Sequence, residues 1–174
     1  MIRTTFIPLP LNASPSRTCQ KNDVKFAVHR IPLEATNTGP LHGLRLAQRG
    51  IVKIHFLHCG RRNLNANQQA GYYEMTYSDG TRERFYLVTE RNINYPDWSR
   101  AGLRTTVGDP SGLEVTTWEN PHPDKILQSL DLLSSNSVTI QLWAMTLERT
   151  VDERKPLSTS KASVRSPGAS AASK

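Results

Sequence analysis

The stretch Gly71–Val88 constrains the fold more than any other part of the chain. Tyr73, Met75 and Tyr77 recur at every second position, Ser78-Asp79-Gly80 follows, and Arg82–Val88 returns with Phe85 and Leu87 opposite Arg82, Arg84 and Tyr86. Successive side chains of a strand point to opposite faces, and Asp-Gly tolerates the positive φ of a tight hairpin turn. The segment therefore predicts two antiparallel strands joined by a short turn.

Other segments carry the same period of two. Val24–Val28 alternates, and Ile51–Leu57 places Val52, Ile54 and Phe56 on one face. Arg61–Gln69 is polar and rich in Asn and Gln, which predicts a loop. Residues 89–113 form a long connection containing Pro96, Gly102, Gly108, Pro110 and Gly112, and connections of such length are commonly functional or partly structured. Glu114–Trp118 reads as a short strand ended by Pro121 and Pro123. Ile126–Leu133 and Val138–Leu147 follow, the last apolar on both faces and so predicted to be a covered, central strand. A helix over Asp124–Leu133 is outweighed by the β-branched residues on either side, Val115, Thr116, Thr117, Val138, Thr139 and Ile140. About seven or eight short strands predict an all-β fold, a two-sheet antiparallel β-sandwich with jelly-roll as the preferred topology.

A length of 174 residues suits one domain with a sizeable core. A hydrophobic content of 37% and a mean hydropathy of −0.50 are low for a chain packed throughout. From Pro156 on, the chain is mostly Ser, Ala, Lys and Arg and has little to bury. The expected division is an N-terminal segment or edge strand over 1–23, a sandwich over 24–148, and a disordered basic tail over 149–174. The tail holds +4 of the formal charge of +7, leaving +3 on the body. Charge concentrated on a tail gives weak, salt-sensitive attraction to polyanions, so no specific nucleic-acid partner is expected. Arg61-Arg62, Lys161 and Arg165 read as solvated charges.

Cys19 and Cys59 are the two cysteines, enough for one disulfide whose formation the sequence leaves open. Phe6–Leu11 is short and broken by Pro8 and Pro10, so it makes a poor signal peptide. No segment reaches transmembrane length. Asn12-Ala13-Ser14 is an N-glycosylation pattern of a kind frequent by chance.

Four phrases carry a family resemblance: Lys53–His58 (K-I-H-F-L-H), Tyr73–Gly80 (Y-E-M-T-Y-S-D-G), Asn92–Trp98, and Thr116–Pro123 (T-T-W-E-N-P-H-P). Together with Ile126–Ser134 and the apolar strand after it, they resemble the galactose-binding-like jelly-roll domains of bacteria. The resemblance runs over Val24–Leu147, with a fainter echo at Phe6–Asn12. It implies a carbohydrate-binding or accessory role, and by analogy an extracellular or cell-surface setting. Localisation otherwise stays open, since no export signal is visible. Relatives have a more acidic and aromatic sequence where this chain has Asn94-Tyr95-Pro96.

Sugars are held by aromatic faces stacking on C–H surfaces and by planar polar groups that meet two hydroxyls at once. Asn92, Tyr95, Asp97, Trp98 and Arg104 form such a set in the long loop, and Trp118, Glu119, Asn120 and His122 a second wall. The alternative is that Trp98 and Trp118 plug the core or its rim, with Asp97 and Asn120 bonding loop backbone. His55 and His58 point to opposite faces of a strand and cannot share a metal ion. Adjacent His58 and Cys59 diverge on an extended chain, which argues against a nucleophile pair. Asp97, Asp109 and Glu119 are loop carboxylates of the kind that bind calcium, but the chain lacks a clustered Asp/Asn loop. No cofactor is therefore expected, calcium being the one ion left open. Asp97 and Glu119 are the one nominable carboxylate pair for glycosidase chemistry. No nucleophile elbow, phosphate loop or zinc signature occurs.

The sequence thus predicts a non-enzymatic carbohydrate-binding-like module, its partner a glycan or polysaccharide. The alternative is a sandwich that docks a protein partner and has no sugar site.

Overall fold

The computed structural model describes residues 1–7, 17–28, 32–61, 65–94, 113–135 and 138–150. Their regular structure is entirely β: β1 (Ile2–Ile7), β2 (Arg17–Lys21), β3 (Val24–Val28), β4 (Leu33–Ala35), β5 (Leu41–Arg49), β6 (Ile51–Arg61), β7 (Gln69–Tyr77), β8 (Arg82–Val88), β9 (Glu114–Glu119), β10 (Ile126–Ser134) and β11 (Thr139–Thr150). No helix among these residues is long and apolar enough to cross a membrane. β11 takes in Arg149 and Thr150, the first two residues of the predicted basic tail over 149–174; the tail from residue 151 on lies outside the described residues, as do residues 95–112 of the predicted long connection.

Two antiparallel sheets face each other. The first has the order β1-β11-β6-β9, with β4 also on β11, and the second β5-β10-β7-β8. β6 pairs with β11 from Thr139 to Arg149 on one side. β4 at Ile140–Leu142 and β1 at Met145–Thr150 follow one another along the other. From β4 onward every connection crosses between sheets except the β7–β8 hairpin. The alternation β4-β11-β6-β9 against β5-β10-β7-β8 is that of a jelly roll.

The β7–β8 hairpin forms as its sequence predicts. Tyr77 and Thr81 close the turn through a backbone bond of 2.9 Å, Asp79 Oδ1 accepts from the Thr81 N–H at 2.9 Å, and Gly80 takes a φ of +83°. At the other end of β7 a bulge at Ala70 separates the Gln69–Val88 and Gly71–Leu87 pairs. Gly71 sits where the sheets approach closely: a Cβ there would press on the Leu133 carbonyl oxygen and lie 2.6 Å from Ile140 Cδ1.

Tyr73, Met75 and Tyr77 point between the sheets, where they meet Ile54, Phe56 and Leu147. Phe56 and Tyr73 stack across the sandwich at 3.9 Å between centroids. A smaller cluster lies on the outer face of the first sheet, where Phe26 and Val28 cover Leu57, Cys59 and Ala144. β2 and β3 form the lid. Their turn residues Asn22 and Asp23 both have positive φ, which matches the twist of a two-residue hairpin. β11 is therefore covered on both faces, as its apolar pattern predicts.

Three features differ from the sequence expectation. The strands number eleven among the described residues, because β2, β4 and β5 carry too little apolar patterning to show. β5, for instance, buries only Leu44 and Leu46. β6 runs on to Arg61 with both faces buried. Val52 is half-buried, and Ile51 takes its expected place in the core, because the ladder to β11 shifts between the Lys53–Glu148 and Ile51–Arg149 pairs.

Candidate functional site

Of the predicted rim residues, Tyr95, Asp97, Trp98 and Arg104 lie outside the described residues. The other four do not converge. Asn120 is buried at the end of β9. Its Nδ2 donates to the Ile51 carbonyl at 2.7 Å, and its Oδ1 accepts from the His122 N–H at 2.9 Å and from the Tyr77 hydroxyl. Trp118 is 7% exposed and packs in the core between the sheets. Glu119 points outward and pairs with Lys53 at 3.0 Å. Asn92 lies beyond β8, where its Oδ1 accepts from the Val88 N–H at 2.7 Å and its Nδ2 donates to the Tyr86 carbonyl at 2.9 Å.

Asn120 bonds backbone at Val52, whereas the Asn92 carbonyl meets His58. The stretch of β6 between Val52 and His58 puts Asn120 and Asn92 about 20 Å apart, toward opposite ends of that strand. Asn92, the described member of the first wall, therefore does not face Trp118, Glu119 and Asn120.

His58 anchors the Asn92 end. It is fully buried. Its Nε2–H donates to the Asn92 carbonyl at 2.9 Å, which leaves Nδ1 to accept from the Tyr73 hydroxyl at 2.9 Å. The Thr116 hydroxyl donates to the same carbonyl at 2.6 Å. Burial lowers the His58 pKa to about 4, against the opposing pull of the Asn92 carbonyl. Cys59 next to it is a buried free thiol pushed up to about 11 by burial, the wrong direction for a nucleophile. Cys19 and Cys59 are not joined by a disulfide.

A cleft of about 400 Å³ opens on the outer face of the first sheet, beside the β2–β3 hairpin. Sheet register builds its floor. Phe6 of β1, Thr146 of β11, His55 of β6 and Thr117 of β9 are successive cross-strand partners, and so are Thr4, Glu148, Lys53 and Glu119. Each row therefore points its side chains to one side. The hairpin supplies a wall of Asp23, Val24 and Lys25, tied down where the Thr146 hydroxyl donates to the Lys25 carbonyl at 2.7 Å.

His55 is 7% exposed at its side chain and bonds in both directions. Nε2–H donates to Glu148 Oε1 at 3.1 Å, so Nδ1 accepts from the Thr117 hydroxyl at 2.8 Å. Glu148, 28% exposed, is thereby held with its carboxylate toward the cleft. A hydroxyl (Thr4), carboxylates (Asp23, Glu148), an ammonium (Lys25) and a part-exposed aromatic ring (Phe6) share one space of ligand size. No group of three or more His, Cys, Asp or Glu able to hold a metal ion occurs among the described residues.

The sequence pattern points to His55 only as a candidate metal ligand and does not single out the other cleft residues as a site. The available signal was polar interruption of otherwise apolar central strands: Lys53 and His55 in β6, Thr146 and Glu148 in β11.

The fold and this site define a jelly-roll β-sandwich with a polar cleft on its outer face. No protein-family model matches the chain, and no curated protein does. Among solved structures it is similar to Pseudomonas aeruginosa AlgX, with 11% identity and a TM-score of 0.33 over 68% of this chain and 27% of that one. The chain thus spans about a quarter of AlgX, and a likeness of this size carries no argument about a ligand.

Proposed function

We propose that this protein is a non-catalytic carbohydrate-binding module whose outer-face cleft takes one or two sugar residues. The cleft carries the reading. It has the volume of a small-ligand site, its polar groups can meet sugar hydroxyls, and Phe6 offers a ring to a C–H face. His55 positions Glu148 before any ligand arrives, which lowers the ordering cost of binding. A site this small and open binds modestly.

The test is a glycan-array screen of the whole chain, followed by titration of the best ligand against Glu148→Gln, Phe6→Ala and Trp98→Ala. Selective binding weakened about tenfold by the first two changes and untouched by the third places the ligand in the cleft. Loss with Trp98→Ala alone moves it to the 95–104 loop. Silence across a broad array, from protein shown to be folded, leaves the sandwich as a scaffold for a protein partner.

A further inference from the structure

The outer face of the second sheet, opposite the cleft, carries a different chemistry. Tyr72 and Tyr86 are direct cross-strand partners on β7 and β8, with centroids 5.8 Å apart and planes tilted by 55°. Tyr86 is 47% exposed, one of few large apolar side chains so open among the described residues. The Arg84 guanidinium lies 4.8 Å from the centroid of the Tyr72 ring. Its Nε donates to Glu74 Oε2 at 2.7 Å, and Arg82 Nη1 donates to Glu74 Oε1 at 3.2 Å.

One buried carboxylate thus serves two guanidiniums, one 64% and the other 49% exposed. Arg82, Arg84 and Glu74 together leave one positive charge facing solvent beside the open Tyr86 ring. The next carboxylate along the row, Asp131, is held toward β5 by the Gly43 N–H at 2.6 Å and His42 at 3.2 Å. The β7–β8 side of the face is therefore aromatic and cationic.

We propose that this side is a second glycan platform, selective for an acidic saccharide. Tyr86 stacks on the C–H face of a uronic acid ring, and Arg84 and Arg82 take its carboxylate. A stacking ring suits a sugar face, and a planar guanidinium suits a carboxylate. The single surplus charge, with Glu74 and Asp131 close by, matches one carboxylate better than a run of phosphates. The site lies on a different sheet from the cleft and stands or falls independently of it.

Titration of the full chain with trigalacturonate, followed by NMR or calorimetry, tests this. Tyr86→Ala and Arg84→Gln are each expected to weaken binding about tenfold, and about 0.5 M salt to weaken it severalfold. The proposal is overturned if trigalacturonate does not bind, or if Tyr86→Ala binds as the parent does. Equal affinity for neutral trigalactose, or tighter binding of a short oligothymidylate, overturns it as well. Tyr86 is exposed, so its removal leaves the fold intact, and a circular dichroism spectrum matching the parent confirms this.

Discussion

The hydroxyl of Tyr73 donates to Nδ1 of His58 at 2.9 Å across the interior of the sandwich, joining β7 of one sheet to β6 of the other. The same imidazole donates through Nε2 to the Asn92 carbonyl, so one neutral ring ties both sheets to the chain segment leaving β8. Protonation would force Nδ1 to become a donor facing a hydroxyl in a site without water contact.

This links stability to pH. The His58 pKa falls from 6.5 to about 4 on folding because the charged form is desolvated. An unfolded chain binds that proton first, so the full contribution is present above about pH 6.5. It declines as pH falls toward 4 and amounts to about 3 kcal/mol. Urea unfolding at about pH 7.5 and 4.5 should show a loss of that order. His58→Gln should flatten the dependence while lowering stability at neutral pH.

Gly71→Ala should be costly. The added methyl meets the Leu133 carbonyl oxygen and Ile140 Cδ1, one of them backbone of a paired strand that cannot turn aside. A loss of about 2–3 kcal/mol is expected from overpacking at this closest approach. Gly43→Ala, with open space around its Cβ position, should lose less despite its φ of +67°. Thermal melts of the two variants decide the order.

Asn120→Ala should separate stability from binding. It leaves the Ile51 carbonyl and the Tyr77 hydroxyl unpaired in a buried site, at a cost of about 2–4 kcal/mol. Any glycan affinity measured on the folded fraction should stay unchanged. A lost affinity in protein that remains folded would return Asn120 to the ligand.

Thr117, His55 and Glu148 align a hydroxyl, an imidazole and a carboxylate in the order of a hydrolase triad. The non-catalytic proposal predicts no acyl-enzyme burst with p-nitrophenyl acetate and no change in background hydrolysis on Thr117→Val. A burst abolished by that substitution would make the site an esterase.

Legibility followed local pattern strength. The Tyr73, Met75, Tyr77 alternation and the Asp79-Gly80 turn identify their hairpin because period and turn chemistry agree within one short segment. Leu33–Ala35 and Arg17–Lys21 are too short or too polar to signal themselves, and they become strands because β11 and β3 present unpaired edges. In sequence Trp118 and Asn120 read as site residues because aromatic and amide groups near Pro suit a binding loop. Burial turns one into core and the other into a lock between β6 and β9.

By itself the sequence determined the all-β class, the covered central strand at the end of the domain and the opposed faces of His55 and His58, since each follows from period-two alternation along one strand. Only the tertiary structure decided the cleft. Phe6, His55, Thr117 and Thr146 are far apart in the chain, and cross-strand register, with a hairpin folded over it, is what places them in one row. Register is fixed by the packing of whole sheets, a long-range property that no local pattern contains.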